Sequence, residues 1–287
     1  MRFGTALLCL ILGALTAGAQ DTASTPNPVP SPGKPATYFQ AHVDQPYIAM
    51  TFDDGPSAEN TPRLLEMLKQ RNIKATFFLI GQNVAANPAI VKQILADGNE
   101  VGNHTWTHPQ LSKLSDDKVT AEITKTQEAI KDASGYTPTL LRPPYGAITP
   151  SQRAWISSQF GLSVILWSVD PFDWKRPGAS VITQRILSQV RPGAIILSHD
   201  IHKQTVDAMP ATLDGLIAKG YKFVTVSQLI ALNKPKPPAV ATTANNTTQS
   251  QKMKKNEPDA APVSTGSQQT TTPADTATKP APAPAAQ

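Results

Sequence analysis

The stretch Tyr47-Ile48-Ala49-Met50-Thr51-Phe52-Asp53-Asp54-Gly55-Pro56 decides the reading of the fold. Its first six residues are a short, mostly apolar run and read as a strand. Two carboxylates and a Gly-Pro turn close it. Outward from this point, short apolar runs alternate with amphipathic stretches. Residues 75–80, 100–103, 140–142, 163–168, 194–198 and 222–225 read as six further strands. Between them, residues 61–71, 88–96, 116–133, 179–190, 208–219 and 227–232 read as helices. Leu64, Leu65 and Leu68 share one face of the first helix. The 116–133 helix has Ser115 as its cap, Asp116 and Asp117 in its first turn, and Gly135 as its stop. Pro210 is placed in the first turn of its helix, where a proline is tolerated.

Repeated strand–helix alternation predicts an α/β domain with a parallel sheet covered by helices. Two topologies fit: an open, doubly wound sheet, or a closed or nearly closed βα barrel of about seven strands. Both gather function at the C-terminal ends of the strands. No glycine-rich phosphate loop follows the first strand, because Gly55-Pro56 after two aspartates is the wrong pattern for a nucleotide.

The strand ends carry the chemistry. Asp53-Asp54 follows the first strand, His104-Thr105-Trp106-Thr107-His108 the third, Arg142-Pro143-Pro144-Tyr145-Gly146 the fourth, Asp170-Pro171-Phe172-Asp173-Trp174 the fifth and Leu197-Ser198-His199-Asp200 the sixth. Adjacent carboxylates point in different directions, so one can bind a metal while the other acts as a base. His104 and His108 are four apart, which lets both imidazoles face one point. One carboxylate plus two imidazoles leaves coordination positions open, the catalytic rather than the structural form of a zinc site. Thr105 is the expected hydrogen bonder that orients the ligand loop. His199 is the candidate general acid, with Asp170 as its expected acceptor. Arg142 precedes two prolines, is held extended by them, and is placed to fix a carboxylate. His42 and His202 are read as ordinary histidines.

Composition separates the domain from its flanks. Of 27 prolines, five lie in residues 21–35 and nine in residues 234–287, and neither stretch has an aromatic residue. Such segments cannot bury enough apolar surface to offset their ordering entropy, so they are expected to be disordered. The expected organisation is a signal peptide (1–19), a Pro-rich linker (20–35), a folded domain (36–233) and a Pro/Ala/Thr-rich tail (234–287). The signal is Arg2, the apolar run of residues 6–15, and Ala17-Gly18-Ala19 with cleavage after Ala19. Ten apolar residues are too few to span a bilayer, and no other segment reads as a transmembrane span. Cys9, the only cysteine, lies in this run, so the exported chain can form no disulfide. The net charge of +5 also belongs mainly to the ends, since residues 36–233 hold 18 basic and 17 acidic side chains. That near-neutrality argues against a nucleic-acid partner.

Together these motifs resemble the polysaccharide deacetylases with the NodB homology domain, carbohydrate esterase family four. The resemblance covers about residues 45–232, and the five family motifs occur in order. It implies a distorted, incomplete (β/α) barrel, which chooses between the two topologies. It also implies that Asp54, His104 and His108 bind a divalent metal, most often Zn2+, with Co2+ or Ni2+ acceptable to the same donors. Asp53 would be the general base held by Arg142, and the Tyr145 peptide N–H would stabilise the oxyanion. His199, oriented by Asp170, would protonate the leaving amine. Trp174 and Leu197 would wall the acetate pocket, and Asp173 would shape that loop.

The expected activity is metal-dependent hydrolysis of N-acetyl groups from an acetylated polysaccharide, by a monomer outside the cytoplasm, secreted or at the cell envelope. Peptidoglycan is the favoured polymer. Chito-oligomers and acetylated xylan are the alternatives, and a glycan-binding wall protein is the alternative without turnover.

Overall fold

The computed structural model of the chain describes Met1 and residues 36–234. The expected signal peptide, linker and tail otherwise lie outside the described residues. The first elements are β1 (Thr37–Tyr38), β2 (Tyr47–Asp53), α1 (Asn60–Gln70), β3 (Thr76–Leu79), α2 (Gly81–Ala86), α3 (Pro88–Ala96), β4 (Glu100–Asn103) and α4 (Asp116–Ser134). They are followed by β5 (Leu140–Leu141), α5 (Pro150–Phe160), β6 (Ser163–Ile165), α6 (Ala179–Gln189), β7 (Ile195–Ile196), α7 (Lys203–Ala218), β8 (Lys222–Phe223) and α8 (Val226–Ala231). The strands pair in the order β1-β6-β5-β4-β3-β2-β7, and β8 pairs with β2. Every one of these pairings is parallel.

The sheet curls toward a barrel without closing into a continuous ladder. At the top, the chain beyond β6 meets β7 through one bridge, Val169 to Ile196. At the base, β1 pairs with β6, and the segment after it reaches the start of β7 through the Gln40–Ala194 bridge. There Ala41 donates its N–H to the Gly193 carbonyl at 2.9 Å. Gly193 has φ 82°, and a Cβ on it would lie 1.8 Å from the Ala41 oxygen, so only glycine fits this approach.

Strand alternation explains both layers of the core. On β2, Ile48, Met50 and Phe52 pack outward against Leu64, Leu65 and Leu68 of α1. Ala49 faces the barrel interior beside Phe78, Leu140, Ile165 and Ile195. Val226, Leu229 and Ile230 of α8 join that inner cluster and close the base. The same alternation puts Thr51 and Asp53 on the inner face of β2, one and two steps nearer the top.

Several elements differ from the sequence expectation. Among the described residues there are eight strands rather than about seven, because β1 has only two residues and shows no periodicity. The unexpected α5 begins with a capping box between Thr149 and Gln152, with Pro150 at its first position. α2 is also unexpected; its six residues are too few to show a helical repeat. α7 begins at Lys203, five residues early, so Pro210 lies inside the helix and not in its first turn. Seven buried residues, among them Met209, Leu213 and Leu216, anchor α7 and offset the backbone bond that proline removes.

Candidate active site

The two aspartates after β2 separate as the strand alternation and the following turn require. Asp53, on the inner face, receives Arg142 Nη1 on Oδ1 at 2.7 Å. Asp54 adopts a left-handed backbone, φ 74°, which turns its side chain toward the third strand end. Its Oδ1 lies 3.4 Å from His104 Nε2 and 3.3 Å from His108 Nε2. Neither contact forms a hydrogen bond, and Oδ1 is buried without a partner. Burial works against the Asp54 charge, but its interaction with His104 first, then with His199 and His108, holds its carboxyl well below the usual range.

One ligand atom from each of Asp54, His104 and His108 lies within 4.8 Å of the others. A buried, unpartnered carboxylate oxygen facing two imidazole nitrogens is the donor set of a divalent metal with open positions, so these residues fit the ion. The ring of His104 is fixed by its other nitrogen, Nδ1, which contacts the Arg142 carbonyl at 2.7 Å and thereby leaves Nε2 toward Asp54. The loop carrying both histidines is tied at several points. Asn103 accepts the Thr105 N–H at 2.8 Å, and Thr105 Oγ1 accepts the His108 N–H at 3.2 Å. Glu122 of α4 accepts the N–H groups of Trp106 and Thr107, each at 2.8 Å. Glu122 is invisible in the motifs because it lies on the polar face of a helix.

Arg142 is fully buried and gathers three strands. Besides Asp53, its guanidinium donates to Thr51 Oγ1 at 2.6 Å, the Ile165 carbonyl at 3.3 Å and the Leu166 carbonyl at 3.2 Å. It also lies 4.1 Å from the centroid of the Phe78 ring. Burial pushes its pKa down, and the adjacent Asp53 opposes that. Beyond Pro143, Tyr145 is left-handed, φ 60°, and its ring meets His108 edge-on at 4.6 Å.

His199 is paired with Asp173 and not with Asp170. Asp173 Oδ1 lies 2.8 Å from His199 Nδ1, and Asp173 Oδ2 accepts the His199 N–H at 2.7 Å and the Thr205 hydroxyl at 2.8 Å. Asp170 instead turns back and accepts the Phe172 N–H at 2.7 Å. The reason is the left-handed turn at Phe172, φ 54°, which reverses the chain and opens the short helical turn Asp173–Lys175 toward His199. Burial disfavours the imidazolium, but the Asp173 hydrogen bond and charge, with Asp53 and Asp54, raise His199 to about 9. His199 Nδ1 is engaged, so Nε2 is the nitrogen available to a ligand.

Asp200, the next residue, is a further buried carboxyl behind this cluster. Thr61 donates its hydroxyl to Oδ2, while Oδ1 is unpartnered and packs where a Gly55 side chain would stand. Burial, opposed by the Thr61 bond and reinforced by Asp54 and Asp53, raises Asp200 to about 7.

A cavity of about 380 Å³ brings the set together. Nine of the residues expected from the sequence line it, Arg142 lies behind Asp53, and Thr105 and Asp173 support His108 and His199 from outside the lining. Trp174 and Leu197 form part of its wall, as does Trp167, which the motifs did not single out. Its signal was its place two residues beyond β6, at a strand end like the others. His42 lies elsewhere, its N–H bonded to Asn233.

With this geometry in view, the kinship is direct. The sequence profile of the polysaccharide deacetylase family matches residues 40–165. A peptidoglycan-N-acetylglucosamine deacetylase of Bacillus cereus is 42% identical over 205 residues, 70% of this chain and 74% of that protein. The peptidoglycan-N-acetylglucosamine deacetylase PgdA of Listeria monocytogenes is 48% identical over 182 residues, and the chain spans only 38% of its length. Among solved structures, the Bc1960 peptidoglycan N-acetylglucosamine deacetylase superposes with a TM-score of 0.65 at 39% identity, covering 70% of this chain and 95% of that one. The chain belongs to the polysaccharide deacetylase family. Among the described residues, no helix is long and apolar enough to cross a membrane.

Proposed function

We propose that this protein removes N-acetyl groups from N-acetylglucosamine residues of a cell-envelope polysaccharide, peptidoglycan first, and releases acetate outside the cytoplasm. One observation carries the reading: a carboxylate paired with a buried arginine and an imidazole paired with a buried carboxylate share one cavity with a Asp-His-His cluster. The peptidoglycan deacetylase names of the relatives support the choice of polymer.

Asp54, His104 and His108 would hold a divalent metal, zinc in the first instance and cobalt or nickel as substitutes, which supplies Lewis acidity to the attacking water and the acetyl oxygen. Asp53 accepts the proton of that water, and Arg142 keeps its carboxylate aimed. The Tyr145 peptide N–H donates to the oxyanion that forms when the water oxygen bonds to the acetyl carbon. His199, charged and steered by Asp173, delivers its proton from Nε2 to the amine as the C–N bond breaks. The products are acetate and a free amino sugar. Trp174 and Leu197 wall the space for the acetyl methyl.

The test is acetate release from purified peptidoglycan, chito-oligomers and acetylated xylan by the full chain with zinc or cobalt. Wild type releases acetate from peptidoglycan, and Asp53→Asn does not. No release from any polymer by wild type would overturn the enzyme reading, leaving a glycan-binding protein.

A further inference from the structure

Next to the cavity, two aromatic rings face solvent. Phe172 is 41% and Trp174 48% exposed, with ring centroids 6.1 Å apart and planes at 64°. Tyr145, 64% exposed, lines the same cavity. Large apolar side chains in water are individually ordinary, but a group of them at the mouth of a site marks a contact surface. The arrangement is held in place. The left-handed turn at Phe172 is unusual for a bulky residue, and it is fixed by the Asp170 carboxylate on its N–H and by Arg185 donating to the Pro171 carbonyl at 2.9 Å. Asp170 therefore acts as a positioning residue for Phe172.

Cations gather on the same rings. Lys175 Nζ lies 5.1 Å from the centroid of Phe172 and 4.9 Å from that of Trp174, and the Arg185 guanidinium lies 5.8 Å from Phe172. Arg176 follows Lys175 and is also exposed. Among the described residues neither Lys175 nor Arg176 forms an ion pair. Exposed rings alone would suit the apolar face of any pyranose. Rings topped by an ammonium and flanked by a second unpaired cation suit a pyranose that carries negative charge.

We propose that Phe172, Trp174 and Lys175 form a glycan subsite beside the catalytic cavity, in which Lys175 recognises a carboxylate on the sugar adjoining the one deacetylated. A lactyl ether or an attached peptide supplies such a carboxylate, whereas a plain N-acetylglucosamine oligomer has none. The inference rests on the proposed function and narrows its substrate to a carboxylate-bearing glycan.

The experiment pairs a binding readout with turnover. Binding of soluble peptidoglycan strands and of a neutral chito-tetraose to the full chain is followed by tryptophan fluorescence, and acetate release is measured in parallel. Lys175→Glu raises Kd and KM for the strands by about three- to tenfold more than for the tetraose, with kcat on the strands altered far less. Added salt weakens wild-type binding of the strands more than of the tetraose. Phe172→Ala weakens both ligands. Equal effects of Lys175→Glu on the two ligands, or none on either, overturn the subsite. If wild type binds the strands through Lys175 but releases no acetate, the subsite stands and the catalytic reading falls.

Discussion

Both ends of the barrel bury carboxylates, and they treat them differently. At the base, Glu100 opens β4 and is fully buried. Its Oε2 accepts from Thr76 Oγ1 at 2.8 Å and from the Ser227 N–H at 3.1 Å, which docks α8 across the opening. Burial, against those hydrogen bonds, raises its pKa. At the top, Asp53 faces a guanidinium and Asp54 faces two imidazoles, on backbone that is left-handed at Asp54, Thr105, His108 and Tyr145. The base uses hydrogen bonds to hold a helix. Each end leaves one buried carboxylate oxygen without a partner, Glu100 Oε1 and Asp54 Oδ1, but only the top sets ionic groups beside its carboxylates. The same burial thus serves cohesion at one end and, in the proposed mechanism, reactivity at the other.

The sharpest way to break this contrast is Asp54→Ala. Removing a proposed ligand should lower acetate release by about 10³-fold or more and abolish stoichiometric zinc binding in an equilibrium titration. The melting temperature of the metal-free protein should fall by only a few degrees at neutral pH, because the variant loses the attraction between the carboxylate and the nearby imidazoles but no hydrogen bond on Oδ1. A variant that unfolds instead would make the top end structural.

Asp173→Asn tests the acid. In the proposed mechanism His199 works protonated, so activity is expected to be lost as pH rises through its pKa, which Asp173 helps raise to about 9. Without that carboxylate the alkaline limb of the pH–rate profile should move down by roughly one unit or more, while activity near pH 6 changes less. A limb that stays in place would remove His199–Asp173 from the mechanism.

The smallest expected effect lies at the base. A carboxyl whose folded pKa is raised is stabilised in its protonated form, so stability falls as pH rises from its unfolded value toward the folded one. Glu100→Gln should remove that loss and raise the melting temperature at pH 8 by about 2–4 °C for each kcal/mol recovered. The pH–rate profile should keep its shape. A changed profile would mean that the two ends are coupled.

Much of this was legible in the chain. The two carboxylates that follow the first strand are adjacent and so point in different directions, and repeated strand–helix order placed the three site histidines at one end. Arg142 was legible because the two prolines after it admit only an extended backbone. The choice between Asp170 and Asp173 was not, because two carboxylates three apart differ only through the left-handed turn at Phe172 between them. Trp167, Asp200 and Glu122 were missed for a related reason. Each acts through tertiary contact, beyond a strand end or on a helix face, where residue type alone carries little signal.

The left-handed residues around the mouth have a consequence for anyone engineering this protein. A non-glycine residue held in that region costs about 1–2 kcal/mol, and glycine there would relieve most of it. A screen for heat resistance would therefore favour glycine at Thr105, His108, Tyr145 and Phe172, although at 108 it deletes a proposed metal ligand and at 145 and 172 a ring. Selection for durability and selection for turnover should pull these positions in opposite directions. Libraries meant to improve both would do well to leave those four codons untouched.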